Sequence, residues 1–278
     1  MNKTGIEYID FTSNPIVGCD MSLPCAERCW ARRMARRQKA IGTTQYQTVV
    51  NDAGEWTGKT AFNEATLQAL LRRRKPATIG LCFMGDAFHP SVPDAWLDRM
   101  FAVVALTPHL KYLIPTKRAK RMREYFSNEQ RLRMKVALGP LPLPNLGLLI
   151  SASNQAELDA RVLDLLATPA AMRGVSLEPL LGEVSLGLLG TVPKTISPRY
   201  QLVANMLHWV IVGGESGRKA RPMHPDWARS IRDQCQAAAV AFYFKQWGKH
   251  IPTGQHDWGQ NGRLLDGKVW NQKPEKWR

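Results

Sequence analysis

Residues 78–106 read TIGLCFMGDAFHPSVPDAWLDRMFAVVAL. Thr78 to Met84 is a short apolar run of strand length. Gly85-Asp86-Ala87-Phe88-His89-Pro90 breaks it as a polar loop, and Pro93 to Leu106 carries apolar residues at helical spacing. The same strand, loop and helix pattern recurs along the chain. Leu110–Ile114 leads through Pro115-Thr116-Lys117-Arg118 into a basic helix ending near Phe126. Leu146–Ile150 leads through Ser151-Ala152-Ser153-Asn154 into Gln155–Ala167. Gly174–Leu177 closes on Glu178-Pro179. Trp209–Val212 leads through Gly213-Gly214-Glu215-Ser216-Gly217 into Pro225–Ala239, and Ala241–Phe244 closes on Lys245-Gln246-Trp247-Gly248. Near-continuous apolar strands alternating with helices predict a parallel sheet covered by helices. The expected fold class is α/β, a partial or near-complete (β/α) barrel read as one domain over residues 1–248. Residues 249–278, rich in Gly, Asn, Gln and Trp, are expected as an irregular extension packed on it.

Upstream, Glu7–Thr12 alternates polar and apolar residues and reads as a first strand. Thr43–Thr60 reads as a small β-hairpin insertion turning at Asn51-Asp52-Ala53-Gly54. Asn63 is placed to cap a helix running to about Arg74. Between them lies Gly18–Trp30, GCDMSLPCAERCW, with Cys19, Cys25 and Cys29 inside eleven residues. Pro24 predicts a helix from there to about Ala40, with Cys25 and Cys29 on one face and Cys19 in the loop before it. Three thiolates suit a zinc ion or an iron–sulfur cluster. A closed zinc site needs a fourth protein ligand, whereas a cubane on three thiolates leaves one iron open. Cys82 and Cys235 read as small apolar fillers.

The 278-residue chain has 38 Lys and Arg against 23 Asp and Glu, a net charge of +15. Basic residues cluster at Arg32–Lys39, Arg72–Lys75, Lys117–Arg123 and Arg131–Lys135. Such a surface predicts a polyanionic partner, nucleic acid first. No apolar run is long enough to span a membrane, and the start MNKTGIEYIDF is not a signal peptide. Five cysteines, three of them in one loop, fit a reducing cytoplasm.

In parallel α/β folds the loops after the strands build the chemistry. Those loops hold the three cysteines, Asp86, His89, Thr116, Lys117, Ser151, Ser153, Glu178, Glu215, Lys245, Gln246 and Trp247.

Several blocks together resemble a phage-type family of radical S-adenosylmethionine proteins, distantly like spore photoproduct lyase. They are NPIVGC from Asn14, CWA from Cys29, GDAFHPSVP from Gly85, TKR from Thr116, SLEPLLG from Ser176, VGGESG from Val212, ARPMHPDW from Ala220 and FKQWG from Phe244. The cysteine spacing, C-x5-C-x3-C, is wider than the common C-x3-C-x2-C of such enzymes. The resemblance implies a 4Fe-4S cluster on Cys19, Cys25 and Cys29, with S-adenosyl-L-methionine on its open iron. One electron would cleave the sulfonium and yield a 5′-deoxyadenosyl radical. It implies cosubstrate contacts from Asp86, Thr116, Ser151, Ser153, Gly213 and Gly214. Glu178, Glu215 and Lys245 would act in catalysis, and Lys117, Arg118, Gln246 and Trp247 would meet substrate or nucleic acid. It further implies a reductant, flavodoxin-like or ferredoxin-like. The expected reaction is isomerisation of an amino-acid-type substituent on thymine in phage DNA, in the host cytoplasm. A lyase repairing a base lesion, and a zinc-stabilised nucleic-acid-binding protein without catalysis, are the alternatives.

Overall fold

A computed structural model describes residues 1–128, 142–187, 207–217, 219–252 and 262–277. The basic cluster at Arg131–Lys135 lies outside the described residues. The chain is a mixed α/β protein with a mostly parallel sheet and, among the described residues, six α-helices. Two compact units divide it. The first comprises residues 1–148 and 168–171, the second residues 149–167 and 172–278.

In the first unit, β1 (Asn2–Lys3) pairs antiparallel with β2 (Phe11–Ser13). β2 runs parallel to the strand Ala77–Leu81, with Thr12 opposite Gly80. A detour separates these two strands. It contains the antiparallel pair β3 (Ile16–Val17) and β4 (Ala61–Phe62), with α1 (Trp30–Ala40) between them, and then α2 (Glu64–Leu71). Ala77–Leu81 is therefore β5. It pairs in parallel with β6 (Leu110–Thr116) after α3 (Asp94–Leu106), and α4 (Ala119–Ser127) follows β6. Ile79, Leu81, Leu113 and Ile114 are buried in the strands, as are Leu97, Met100 and Phe101 on α3. Burial on both strand faces is why these segments lack polar alternation.

β7 (Leu146–Ser151) carries the boundary between the units, and α5 (Gln155–Ala167) follows it. In the second unit β8 (Met172–Leu177), β9 (Trp209–Gly213) and β10 (Ala241–Gln246) are parallel neighbours, with α6 (Pro225–Ala237) leading into β10. The hydrogen-bonded order β1-β2-β5-β6-β7-β8-β9-β10 follows the chain without reversal. A sequential parallel order is compatible with a partial α/β barrel. The segment 262–277 packs on the second unit. Its short hairpin is β11 (Leu264–Leu265) with β12 (Lys268–Val269), the Phe244 amide donates to the Trp270 carbonyl at 2.8 Å, and the Trp209 indole donates to that of Gln272 at 2.9 Å.

Three expectations change. The strand expected at Glu7–Thr12 is β2 and starts only at Phe11, because Ile9 N–H turns back to the Ile6 carbonyl, and β1 (Asn2–Lys3) precedes it. The segment 43–60 is no two-stranded hairpin but one isolated bridge, Val50 to Trp56, closed by the expected turn with Gly54 N–H on the Asn51 carbonyl. The helix predicted from Pro24 begins at Trp30. Ala26–Arg28 is a 3₁₀ turn and Cys29 is extended, with φ −61° and ψ 119°. Cys25 and Cys29 therefore share no helix face.

Candidate functional site around the cysteine loop

Two glycines bring the cysteine loop to the end of β5. Gly18 and Gly85 form a parallel bridge in which Gly18 N–H meets the Met84 carbonyl at 3.4 Å and Asp86 N–H the Gly18 carbonyl at 3.2 Å. A Cβ added at Gly85 would lie 2.6 Å from the Gly18 oxygen, and Gly18 itself has φ +107°. Neither position tolerates a side chain without moving backbone.

Polar groups knot together beside this contact. Asp86 is buried and its carboxylate accepts four hydrogen bonds. Thr116 Oγ1 at 2.7 Å and Phe88 N–H at 3.0 Å reach Oδ1; Lys117 N–H and Arg118 Nη1, both at 3.1 Å, reach Oδ2. Those four fill its lone-pair positions. Arg118 also donates to Asp20 Oδ2 at 2.7 Å and lies 3.6 Å from Cys19 Sγ. Asp20 Oδ2 accepts from His89 Nε2 at 2.7 Å, and its Oδ1 accepts from Ser22 N–H at 3.0 Å. His89 Nδ1 accepts from Ser91 N–H at 3.1 Å, so the neutral ring carries its proton on Nε2.

Burial would raise the Asp20 carboxyl, but hydrogen bonds from Ser22 and His89 and the charge of Arg118 hold it far below the ordinary range. Burial, reinforced by the Arg118 charge, depresses His89. Burial works against the charge on Arg118, yet Asp86, Cys19 and Asp20 outweigh it and raise the guanidinium. Burial lifts the Cys19 thiol to about 11, against the pull of Arg118.

Cys19, Cys25 and Cys29 are all half-buried, and Cys19 and Cys29 pack against the cluster of Val17, Ala31, Ala35, Tyr46, Val49, Val50 and Trp56. As a donor set, three thiols from one loop suit a zinc ion or an iron–sulfur cluster. Among the described residues no three His, Cys, Asp or Glu side chains are grouped closely enough to hold a metal ion, so the three sulfurs are not drawn together in this structure. Cys82 and Cys235 are fully buried, and burial pushes the Cys82 thiol up to about 12.

The second unit holds its own polar group at the strand ends. Lys245 Nζ is 2.7 Å from Glu178 Oε1, and Ser176 Oγ donates to Oε2 at 3.0 Å. The Glu178–Pro179 peptide is cis. Gly213 passes close to Glu178. At Gly214 an added Cβ would sit 1.9 Å from the Trp247 carbonyl, so this glycine serves backbone packing. Glu215 is buried and held by Arg221 through Nε at 3.0 Å, Nη2 at 2.8 Å and its amide at 2.8 Å. Gln246 Nε2 donates to Ser216 Oγ at 2.7 Å. Trp247 is a core side chain, 1% exposed, with its indole N–H on the Leu264 carbonyl. Ser151 and Ser153 are buried, and their main chain is braced by Arg161 and Leu181.

Over residues 3–274 the chain matches the family DUF5131, described as a protein of unknown function. It belongs to this family. No curated protein and no solved structure matches it.

Within this DUF5131 chain the structure unites Asp86, Thr116, Lys117 and Arg118 with Cys19, and separately unites Glu178, Lys245 and Gly213. Asp86, expected as a cosubstrate contact, and Arg118, expected to meet substrate or nucleic acid, bind each other in this structure. Asp20 was not among the predicted site residues, although Asp20-Met21-Ser22 behind a cysteine carries an Asx-turn signal. Arg221 clamps Glu215 from six residues away. Nothing local in the sequence distinguishes it from the other basic residues.

Proposed function

We propose that the protein is a radical S-adenosylmethionine enzyme holding a 4Fe-4S cluster on Cys19, Cys25 and Cys29. The supporting observation is the Gly18–Gly85 bridge, which fixes a loop of three soft donors at the carboxyl end of β5, beside an arginine 3.6 Å from Cys19 Sγ. Bound there, the cluster would supply the electron that cleaves the sulfonium of S-adenosylmethionine and yields a carbon radical able to take hydrogen from substrate. The chain's own part is to tether, orient and balance charge. Asp86 ties the loops after β5 and β6 to the cysteine loop. Arg118 sets a cation against the Cys19 sulfur, where it opposes the burial that otherwise keeps this group a thiol. For ligation the loop 20–28 must close and bring Cys25 and Cys29 to Cys19.

The proposed substrate is an amino-acid-type substituent on a thymine base in DNA, isomerised without net oxidation. The net charge of +15 supports a nucleic-acid carrier. Glu178 and Lys245, a carboxylate and an ammonium 2.7 Å apart, are suited to exchanging their mutual bond for the ammonium and carboxylate of such a substituent.

The test is reconstitution with iron and sulfide in the absence of oxygen. The expected protein is brown, contains iron and sulfide, and releases 5′-deoxyadenosine from S-adenosylmethionine under reduction. Cys19→Ala, Cys25→Ala and Cys29→Ala should each lose the colour. A colourless protein that retains zinc would overturn the reading. Mass spectrometry of nucleosides from host DNA, with and without the protein, tests the substrate.

A further inference from the structure

The chemistry proposed above gives no task to His89 or Ser91, yet a line of hydrogen bonds joins both to Asp20. Ser91 is exposed, and its Oγ lies 2.8 Å from His89 Nδ1. His89 Nε2 lies 2.7 Å from Asp20 Oδ2, and the imidazole is only 5% exposed. The neutral ring carries its proton on Nε2, so Nδ1 is the acceptor and the Ser91 hydroxyl donates to it. Thr60 Oγ1 is 3.0 Å from Ser91 Oγ. Since the Ser91 proton points to His89, Thr60 is the donor in that pair. Three segments distant in sequence thus meet: the cysteine loop, the turn before β4 and the loop after β5.

A His-Pro-X turn alone does not require this arrangement. At His224-Pro225-Asp226 the Asp226 N–H donates to His224 Nδ1 at 3.3 Å, as the Ser91 N–H does to His89 at 3.1 Å. The His224 side chain is 60% exposed and caps α6. Its turn closes with the ring in solvent. At His89 the ring is buried, a hydroxyl stands on Nδ1 and a carboxylate on Nε2. Asp20 is itself fixed, by Arg118 Nη2 at 2.7 Å and Ser22 N–H at 3.0 Å, so it holds the ring at one angle. Burial depresses His89 below its ordinary value, so at pH 7 the ring is the neutral base. A hydroxyl on one ring nitrogen and a carboxylate on the other is the arrangement that activates a serine nucleophile, and it is recognised by geometry, not by order in the chain. The two nitrogens are exchanged relative to serine proteases, which the closeness of residues 89 and 91 in the chain imposes.

We propose that Ser91, His89 and Asp20 form an acyl-transfer site, with Ser91 as nucleophile, His89 as general base and Asp20 as positioning residue. The substrate class is an ester of a small acyl group, because Ser91 is exposed and such a donor reaches it from solvent without entering the core. As Oγ bonds the acyl carbon, its proton passes to His89 Nδ1. The ester C–O bond then breaks, and the leaving alcohol takes that proton. Water, deprotonated by the same nitrogen, releases the acyl group as the acid and restores Ser91. Ester and water give acid and alcohol, and no oxidant or reductant enters. Thr60 Oγ1, beside Ser91 Oγ, is a donor for the oxyanion formed in each step.

The test uses the full chain without added iron, so its failure leaves the cluster reading standing, and absence of iron leaves this one standing. A fluorophosphonate probe should label the chain, fluoride leaving as Oγ bonds phosphorus, and peptide mass spectrometry should place the adduct on Ser91. p-Nitrophenyl acetate should be hydrolysed with a burst of nitrophenol as the acyl-serine accumulates. Ser91→Ala keeps the backbone N–H that closes the turn. It should retain the circular dichroism and melting temperature of the parent and lose both label and burst. His89→Gln should slow labelling about 100-fold or more. Asp20→Asn should slow it too and move the inflection of its pH profile to lower pH. The charged groups around His89 are Asp20, Asp86 and Arg118, and without the Asp20 charge the imidazolium loses a stabilising neighbour. A merely structural carboxylate would lower stability without that shift. An unlabelled parent chain, an adduct on another residue, or label and burst unchanged in Ser91→Ala overturns the proposal. So does a folded His89→Gln variant that is labelled at the parent rate.

Discussion

Arg118 joins three groups that would otherwise repel one another or remain unpaired. It is 11% exposed at the side chain and sits between Asp86, at 7%, and Asp20. Removing one partner of a buried ion pair strands the other and costs about 3–5 kcal/mol. Arg118→Met should therefore lower the unfolding free energy obtained from urea titration by about 3–5 kcal/mol. Arg118→Lys should recover only part, because a single ammonium cannot span both carboxylates and the Cys19 sulfur. The same knot makes the protein sensitive to acid. His89 titrates lower in the fold than its ordinary 6.5, so between the two values the unfolded chain binds more protons. Stability present above pH 6.5 thus declines as pH falls through the folded value. Asp20 is depressed from 3.8, so its contribution is present above that value and is lost as pH falls further. Urea midpoints measured from pH 8 to pH 3 should fall in two stages, and His89→Gln should remove the upper one. A flat profile between pH 7 and pH 5 in the parent chain would contradict this. The residue types at this site were legible; their partners were not. Asp86 and Arg118 are 32 positions apart, and only the parallel pairing of β5 with β6 makes them neighbours.

At the level of elements, the pattern of apolar runs located the principal strands and five of the six described α-helices closely. Helices α3 and α5 fall where periodicity placed them, and Asn63 caps α2 by accepting from Thr66 N–H at 3.0 Å. The start of α1 is the instructive departure. Pro24 and the good helix formers after it favour a helix, yet the donors of Ala26, Arg28 and Cys29 all reach back only three residues. The Glu27 carbonyl, which a continuous α-helix would use internally, is taken by Arg32 Nη2 at 2.8 Å. A side chain five residues on thus decides where the helix begins, and local propensity carries no record of that contact. The hairpin at 43–60 was overdrawn for a related reason. Its turn is present, but Lys39 Nζ takes the Val50 carbonyl at 2.8 Å and ties the segment to α1. The 43–60 segment also reaches the cysteine loop, Gly58 N–H donating to the Cys19 carbonyl at 3.1 Å, one residue from the Gly18–Gly85 bridge. Gly85→Ala would force backbone apart at 2.6 Å. Strain of that kind costs about 1–3 kcal/mol. Gly85→Ala should therefore lower the melting temperature, and it should also raise the reactivity of Cys19 toward a thiol reagent by loosening its loop. A melting temperature unchanged from the parent would show that the bridge is dispensable.

For the whole molecule, charge is the property that sequence reports most directly, since it requires no knowledge of contacts. Thirty-eight basic residues against 23 acidic ones leave +15. Many basic side chains are already engaged: Arg118 with Asp20 and Asp86, Arg229 and Arg232 with Asp266, Arg161 with Glu157, Lys245 with Glu178. Internal pairing takes cations and anions together, so the excess of fifteen is untouched by it and must face solvent or a partner. No helix among the described residues is long and apolar enough to cross a membrane. If the partner is DNA, phosphate contacts release counterions, and the logarithm of affinity falls with the logarithm of salt at a slope of about −0.9 per phosphate neutralised. Six to ten contacts would weaken binding by about 10³–10⁵ between 50 and 200 mM salt. A fluorescent duplex titrated across that range should show this steep line. A shallow line, equivalent to one or two phosphates, would assign the excess charge to solubility and return the search for substrate to small, singly charged molecules.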